Sequence, residues 1–230
     1  MKRVLVSTLL CALAFNLTFF WQELWLVIPK ALTPGLHPIL YHNDHSWSGE
    51  SPIVELLQGT GAIATLVSGL IFLGLRGRRL FFFWMAFEGL FQSLSQLAIG
   101  SLLPGNDVGR ALGYLHVDQT GKWTLLALAG ILMASAGAAL AKIHPPIWET
   151  LLAGLLAIVL IVPFRLPRNL VEVLLIPVIV QFCGLIFLLL GALFINSGRT
   201  YQTPPLVQPA AALIALLAVF HLILRPGIAF

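Results

Sequence analysis

Long apolar runs are the feature of this chain that most restricts its fold. A helix that crosses the hydrocarbon core of a bilayer needs about 20 consecutive apolar residues. Seven runs approach or exceed this length, at residues 4–28, 53–75, 80–103, 123–141, 147–164, 170–195 and 206–224. They lack the apolar–polar alternation of membrane β-strands, so we expect helices.

The composition agrees with lipid as the main solvent. Hydrophobic residues make up 59% of the 230 residues and charged residues only 10%, whereas soluble domains carry about 25% charged residues. We therefore predict an all-α integral membrane protein, a bundle of about seven transmembrane helices that forms one polytopic domain over residues 1–230, with no soluble domain. The count falls to six if the short run at 147–164 is re-entrant. We expect the first run to be retained as a span, because it is longer than a signal-peptide core.

Basic residues predict how the chain is oriented, because Lys and Arg concentrate in cytoplasmic loops. Before residue 100, one base, Lys30, falls on the side opposite the N-terminus, and five share the N-terminal side: Lys2, Arg3, Arg76, Arg78 and Arg79. We predict a cytoplasmic N-terminus, a bacterial inner membrane location, and outer loops at 30–52 and 104–122. The expected partners are the bilayer and other membrane proteins. A net charge of +4 on such a chain gives no reason to expect nucleic acid.

The first outer loop carries a dense group of metal-ligand side chains, in the stretch "YHNDHSW". His42, Asp44 and His45 offer imidazole and carboxylate groups, which bind zinc or copper. The second outer loop adds Asp107 and His116 as further candidate ligands. The alternatives are a polar interfacial loop for the first group and a helix cap for Asn106 or Asp107. The two cysteines have no metal-binding spacing and are expected to pack as small hydrophobes.

Acidic residues inside the apolar runs are the candidate catalytic groups. An ionisable side chain at bilayer depth is costly and is functional by default. Glu23 and Glu88 are the two that we assign to catalysis, whereas the neighbouring Gln, Ser and Thr residues are expected to serve mainly as hydrogen bonds between helices. We predict an outward-opening polar pocket, lined by the acids Glu23, Glu55, Glu172 and Glu88 and covered by the five candidate ligands His42, Asp44, His45, Asp107 and His116.

Three functions suit such a pocket. The first is a metal-dependent membrane enzyme that acts on a lipid or another membrane-embedded substrate, with a carboxylate as base. The second is a proton- or cation-coupled carrier in which Glu23 and Glu88 titrate. The third is an accessory subunit of a larger membrane complex. The sequence contains no P-loop, dinucleotide fingerprint or nucleophile elbow, and "FEGLF" around Glu88 has phenylalanines where a zinc protease needs histidines.

Overall fold

The computed structural model describes residues 1–75, 79–195 and 201–230. Within them, six helical segments are long and apolar enough to cross a membrane, which confirms the all-α membrane bundle at that level. The helices are α1 Lys2–Ala31, α2 Val54–Leu57, α3 Thr60–Gly74, α4 Leu80–Leu102, α5 Asp107–Tyr114, α6 Gln119–Ala141, α7 Ile147–Arg165, α8 Ile176–Phe194 and α9 Val207–Val219. Two π-helical segments, Val171–Leu175 and Phe220–Leu224, precede α8 and follow α9.

Helix α4 lies at the centre of the bundle. It is long, but it is not one of those six segments. It has 23 residues and packs against α1, α3, α5, α6 and α8. Its sequence interrupts the apolar run with Glu88, Gln92 and Gln96. A helix surrounded by other helices can carry such residues, because they face protein and not lipid.

Tight helix crossings bring α4 and its neighbours close together. At Gly69 on α3, an added Cβ would lie 2.6 Å from the backbone nitrogen of Leu90. At Gly191 on α8, it would lie 2.7 Å from the backbone oxygen of Gly137 on α6. Small residues at these positions let the helix backbones approach.

The first connection, 30–52, differs from the irregular loop that the sequence suggested. It forms the antiparallel strands β1 Leu36–Leu40 and β2 His45–Gly49, and β1 also pairs with β3 Ile228–Ala229 near the end of the chain. The strand β3 is too short to be recognised from its own sequence. The fold is therefore a helical bundle with a small three-stranded sheet at one end.

The helix connections collect at two opposite faces of the bundle. We call the end that carries β1–β3 the sheet face. There, Arg168 after α7 pairs with Asp44, and Arg110 of α5 pairs with Glu55. At the opposite face, Arg79 bridges to Gln202, and the hydroxyl of Tyr201 donates to the carbonyl of Ile143. Of the bases used to predict orientation, Arg76 and Arg78 lie outside the described residues.

Candidate functional site

A cavity of about 850 Å³ opens at the sheet face between α1, α4 and the start of α8. One part of its wall is apolar, and the other carries charged and amide side chains. The charged lining residues are Glu23, Asp44, His45, Asp107, Arg165, Arg168 and Glu172, and the amide and hydroxyl ones include Gln22, Gln92, Ser95 and Gln96. This mixed lining suits a ligand with a polar end and an apolar end.

Three of these side chains form a group that has the composition of a metal site. Glu23 lies on α1, Asp44 lies in the turn before β2, and His45 is the first residue of β2. One ligand atom from each lies within 4.8 Å of the other two. The Nδ1 atom of His45 is 2.7 Å from Oε2 of Glu23. Two carboxylates and one imidazole are ligand types that zinc accepts.

The second ring nitrogen of His45, Nε2, also has a hydrogen-bond partner. It lies 3.2 Å from Oε1 of Gln58, in the break between α2 and α3. Carboxylate and amide oxygens only accept, so Nδ1–H donates to Glu23 and Nε2–H donates to Gln58; a bound metal would take the place of the Nδ1 proton. The Nζ atom of Lys30 donates to the same oxygen at 3.3 Å and lies over the ring of Trp47. The hydrogen bond to Gln58 orients the ring of His45 so that Nδ1 points towards Glu23 and Asp44, as second-shell partners orient metal-binding histidines.

The remaining charges of the cavity surround this group. Arg168 pairs with both Asp44 and Glu172, at 2.8 and 2.7 Å. Asp107 begins α5 and faces the cavity beside Glu23. Burial raises the pKa of the Asp107 carboxyl, and the negative charge of Glu23 raises it further. The cap of α5 is made by Asn106, whose side chain accepts from the backbone N–H of Val108 at 3.0 Å, so Asp107 is not needed for capping.

Several polar atoms that belong to lining residues are buried and have no hydrogen-bond partner. Among the described residues they are Oε1 of Gln22, Oε1 of Gln92, Oγ of Ser95, Oε1 of Gln96, Nη1 of Arg165 and Nε of Arg168. Asn16 and Thr18 on α1 also have unpartnered atoms, but they do not line the cavity. Buried polar groups are normally paired. Their concentration around one cavity indicates a place for a polar ligand.

The structure separates His42 from His45. The Nε2–H of His42 donates to the carbonyl of Leu166 at 3.0 Å, and its ring packs against Phe164 and lies 5.0 Å from the ring of His221. Burial is the main cause that lowers the pKa of His42; His221 acts in the same direction, and the bond to Leu166 opposes it. These contacts of His42 attach the loop to the end of α7, and His42 does not line the cavity.

Two other predicted lining or ligand residues also lie elsewhere. His116 is exposed, with a φ of 52°, in the connection between α5 and α6. Glu55 binds Arg110 through two contacts of 2.6 and 2.7 Å, outside the cavity lining. The five predicted ligands thus do not surround one point. Asp44, His45 and Asp107 reach the cavity, and Glu23 joins them from α1.

Glu88 lies deeper in the bundle, in a closed cluster. It accepts hydrogen bonds from Gln92 at 3.1 Å, from Cys11 at 3.4 Å and from Gln181. Gln92 also lines the cavity, so a single side chain separates Glu88 from it. Cys11 lies in this polar cluster, although the sequence suggested simple hydrophobic packing.

Arg165 and Arg168 were not among the predicted site residues, because they belong to no recognised motif. Both occur in "FRLPRN", which directly follows an apolar run. The usable signal was a pair of cations at the end of a span, on the same predicted side as the acids. In comparisons with known proteins, no family model, no curated protein and no solved structure matches this chain.

Proposed function

We propose that this protein is a membrane-embedded, metal-dependent enzyme that acts on a lipid or another membrane substrate. The observation that carries the proposal is the group formed by Glu23, Asp44 and His45 at the wall of an amphipathic cavity. The six apolar segments place this cavity in a protein whose solvent is lipid. Such a location gives the site access to substrates that never leave the membrane.

The proposed roles follow from position. Glu23, Asp44 and His45 bind a divalent ion, with zinc as the first candidate and copper as the second. Gln58 holds the imidazole of His45 in place. Such an ion would supply Lewis-acid chemistry at a substrate oxygen or a water. Asp107 lines the same cavity, where its carboxylate could accept a proton.

The proposed topology makes this an outward-facing site. The seven long helices, with α4 included, cross a bacterial inner membrane, and the N-terminus is cytoplasmic. Support comes from the excess of bases on the N-terminal side and from the grouping of alternate connections at the sheet face. Labelling single cysteines at the exposed positions 37 and 142 with a membrane-impermeant reagent tests this. Reaction at 142 in intact cells, with position 37 protected, would reverse the orientation.

Two histidines in one loop provide the matched test of the metal proposal. Purified protein is loaded with zinc, dialysed and analysed for metal. We expect close to one zinc per chain in the wild type and in His42→Ala, and loss of the zinc in His45→Ala. Equal zinc in both variants, or none in the wild type after loading, would refute the metal site. The melting temperature of each variant shows whether it is folded.

A carrier is the second candidate, because Gln92 links the cavity to Glu88. Beyond Glu88 on the same helix lie the buried rings of Phe83, Trp84 and Phe87. Trp84 donates a hydrogen bond to the hydroxyl of Ser7 at 2.9 Å. A carrier predicts that Glu88→Gln abolishes proton or cation flux in proteoliposomes. Flux that is equal in Glu88→Gln and the wild type would eliminate this role for Glu88.

A further inference from the structure

We propose that the cavity binds an amphipathic anion, with its phosphate or carboxylate head held by Arg165 and its hydrocarbon chain between α4 and the start of α8. This inference names the substrate class of the proposed enzyme and rests on that function only for the claim of turnover. The binding itself is carried by separate observations.

Arg165 is a buried cation that has an unused donor. It is the last residue of α7, it is 1% exposed, and it lines the cavity. Its Nε donates to the backbone carbonyl of Glu172 at 3.3 Å, and its guanidinium lies 4.3 Å from the ring centre of Phe19. Nη1 has no partner.

No carboxylate among the described residues forms an ion pair with Arg165. Asp44 and Glu172 pair with Arg168 and Glu23 pairs with His45, so these three carboxylates act on Arg165 only through space. Buried charges are normally paired. The planar guanidinium group binds phosphate and carboxylate through two parallel hydrogen bonds. An anion that enters the cavity would satisfy both the charge and the free donor.

The apolar part of the wall gives this anion a hydrocarbon chain. It is formed by Ile99 and Leu103 near the end of α4 and by Leu175, Ile176, Ile179 and Val180 at the start of α8. Leu103, Leu175 and Ile179 are 58%, 50% and 42% exposed. The apolar wall therefore continues to the outer surface of the bundle, which is the surface that meets lipid. A chain can enter from the bilayer while its head stays beside Arg165.

The unpartnered side chains on α1 and α4 suit the head of such a molecule. Gln22, Gln92 and Gln96 present free amide oxygens, and Ser95 presents a free hydroxyl. Amide oxygens accept hydrogen bonds from hydroxyl groups. A head that combines one anionic group with hydroxyl groups, as in a glycerol phosphate, fits this mixture better than a purely neutral head.

The test compares three probes on detergent-purified protein, with zinc and with EDTA: oleoylglycerol phosphate, neutral oleoylglycerol, and inorganic phosphate. We expect the anionic lipid to bind at least about tenfold more tightly than either of the others, and Arg165→Gln to lose about tenfold or more of that affinity. Arg110→Gln removes a cation outside the cavity and should leave binding unchanged.

A second pair of variants covers the case in which Arg165→Gln does not fold. Ile179→Trp should fill the apolar end and weaken binding of the lipid, whereas Leu193→Trp, on an exposed part of α8 away from the cavity, should not. The proposal would be overturned if the neutral lipid or inorganic phosphate bound as tightly as the anionic lipid. It would also be overturned if neither Arg165→Gln nor Ile179→Trp changed the affinity for the anionic lipid.

The same variants separate this inference from the proposed metal function. Arg165→Gln should keep its zinc, and the wild type in EDTA should still bind the anionic lipid more tightly than the neutral one. If the wild type binds the anionic lipid but takes up no zinc, the metal enzyme is refuted and the anion site stands. If it takes up zinc but does not bind the lipid, the anion site is refuted and the metal site stands.

Discussion

Two buried glutamates occupy very different surroundings in this protein. Glu88 is in the middle of α4, accepts hydrogen bonds from Cys11, Gln92 and Gln181, and is enclosed by aromatic rings. Glu23 borders a cavity of about 850 Å³, beside His45 and unpartnered amide groups. The hydrogen bonds of Glu88 join α4 to α1 and α8. Glu23 lies instead at the wall of the cavity, where the proposed metal would bind.

The largest expected effect comes from removing one carboxylate from each region. Glu23→Gln should lower zinc affinity by about 100-fold or more, since it removes a ligand and changes to second-shell partners alone cost about 10–100-fold. Glu88→Gln should bind zinc like the wild type. Competition with a chromogenic zinc chelator measures both. Loss of affinity in Glu88→Gln would remove the contrast between the two regions.

Added volume should also distinguish the two regions. At Gly184 on α8, a Cβ would lie 2.6 Å from Cζ of Phe87 and 2.9 Å from the ring of Phe91, and both rings are buried. Gly184→Ala should therefore destabilise by about 1–3 kcal/mol. Ser95→Leu adds more volume, but its side chain lines the cavity and its Oγ has no partner to lose. We expect Ser95→Leu to retain wild-type stability, as measured by unfolding in a detergent titration.

The hydrogen bonds of Glu88 should have a smaller, measurable effect on stability. Glu88→Gln turns an acceptor into a donor that faces the amide donors of Gln92 and Gln181. Individual hydrogen bonds between membrane helices contribute about 0.6–2 kcal/mol, so we expect a loss of about 1–2 kcal/mol. Glu88→Asp, which keeps the carboxyl group but has a shorter side chain, is the companion variant. Full stability of Glu88→Gln would show that the cluster is not structural.

The smallest effect is expected at Glu55, an acid at the sheet face but outside the cavity. It forms an ion pair with Arg110, in which the side chains are 40% and 31% exposed. Exposed ion pairs contribute about 0–1 kcal/mol. Glu55→Gln should shift the melting temperature only slightly and leave zinc binding intact. A clear loss of zinc would extend the site beyond the described cavity.

Much of the fold was predictable because its signals are local. The run at 147–164 is the shortest of the seven, yet α7 forms a continuous helix over Ile147–Arg165. The sheet was not predictable in the same way. Strand β1 pairs with the neighbouring β2 and also with β3, which lies near residue 230. No local sequence pattern predicts the pairing with β3.

The candidate site was predictable as a region but not as a set of contacts. Asp44 and His45 were chosen from their loop, and Glu23 from its position inside an apolar run. Their meeting joins residues 22 positions apart, whereas His42 meets Leu166 over 124 positions. Arg165 showed no motif, and only its burial beside the cavity identified it.

The sequence by itself determined that this chain is a helical membrane protein, because transfer of a 20-residue apolar run into lipid depends on that run alone. The tertiary structure decided which histidine of "YHNDHSW" faces Glu23 and which packs against Phe164. The physical reason is that the hairpin places His42 in its turn and His45 at the start of its strand. Their side chains therefore point to different neighbours, which other helices supply.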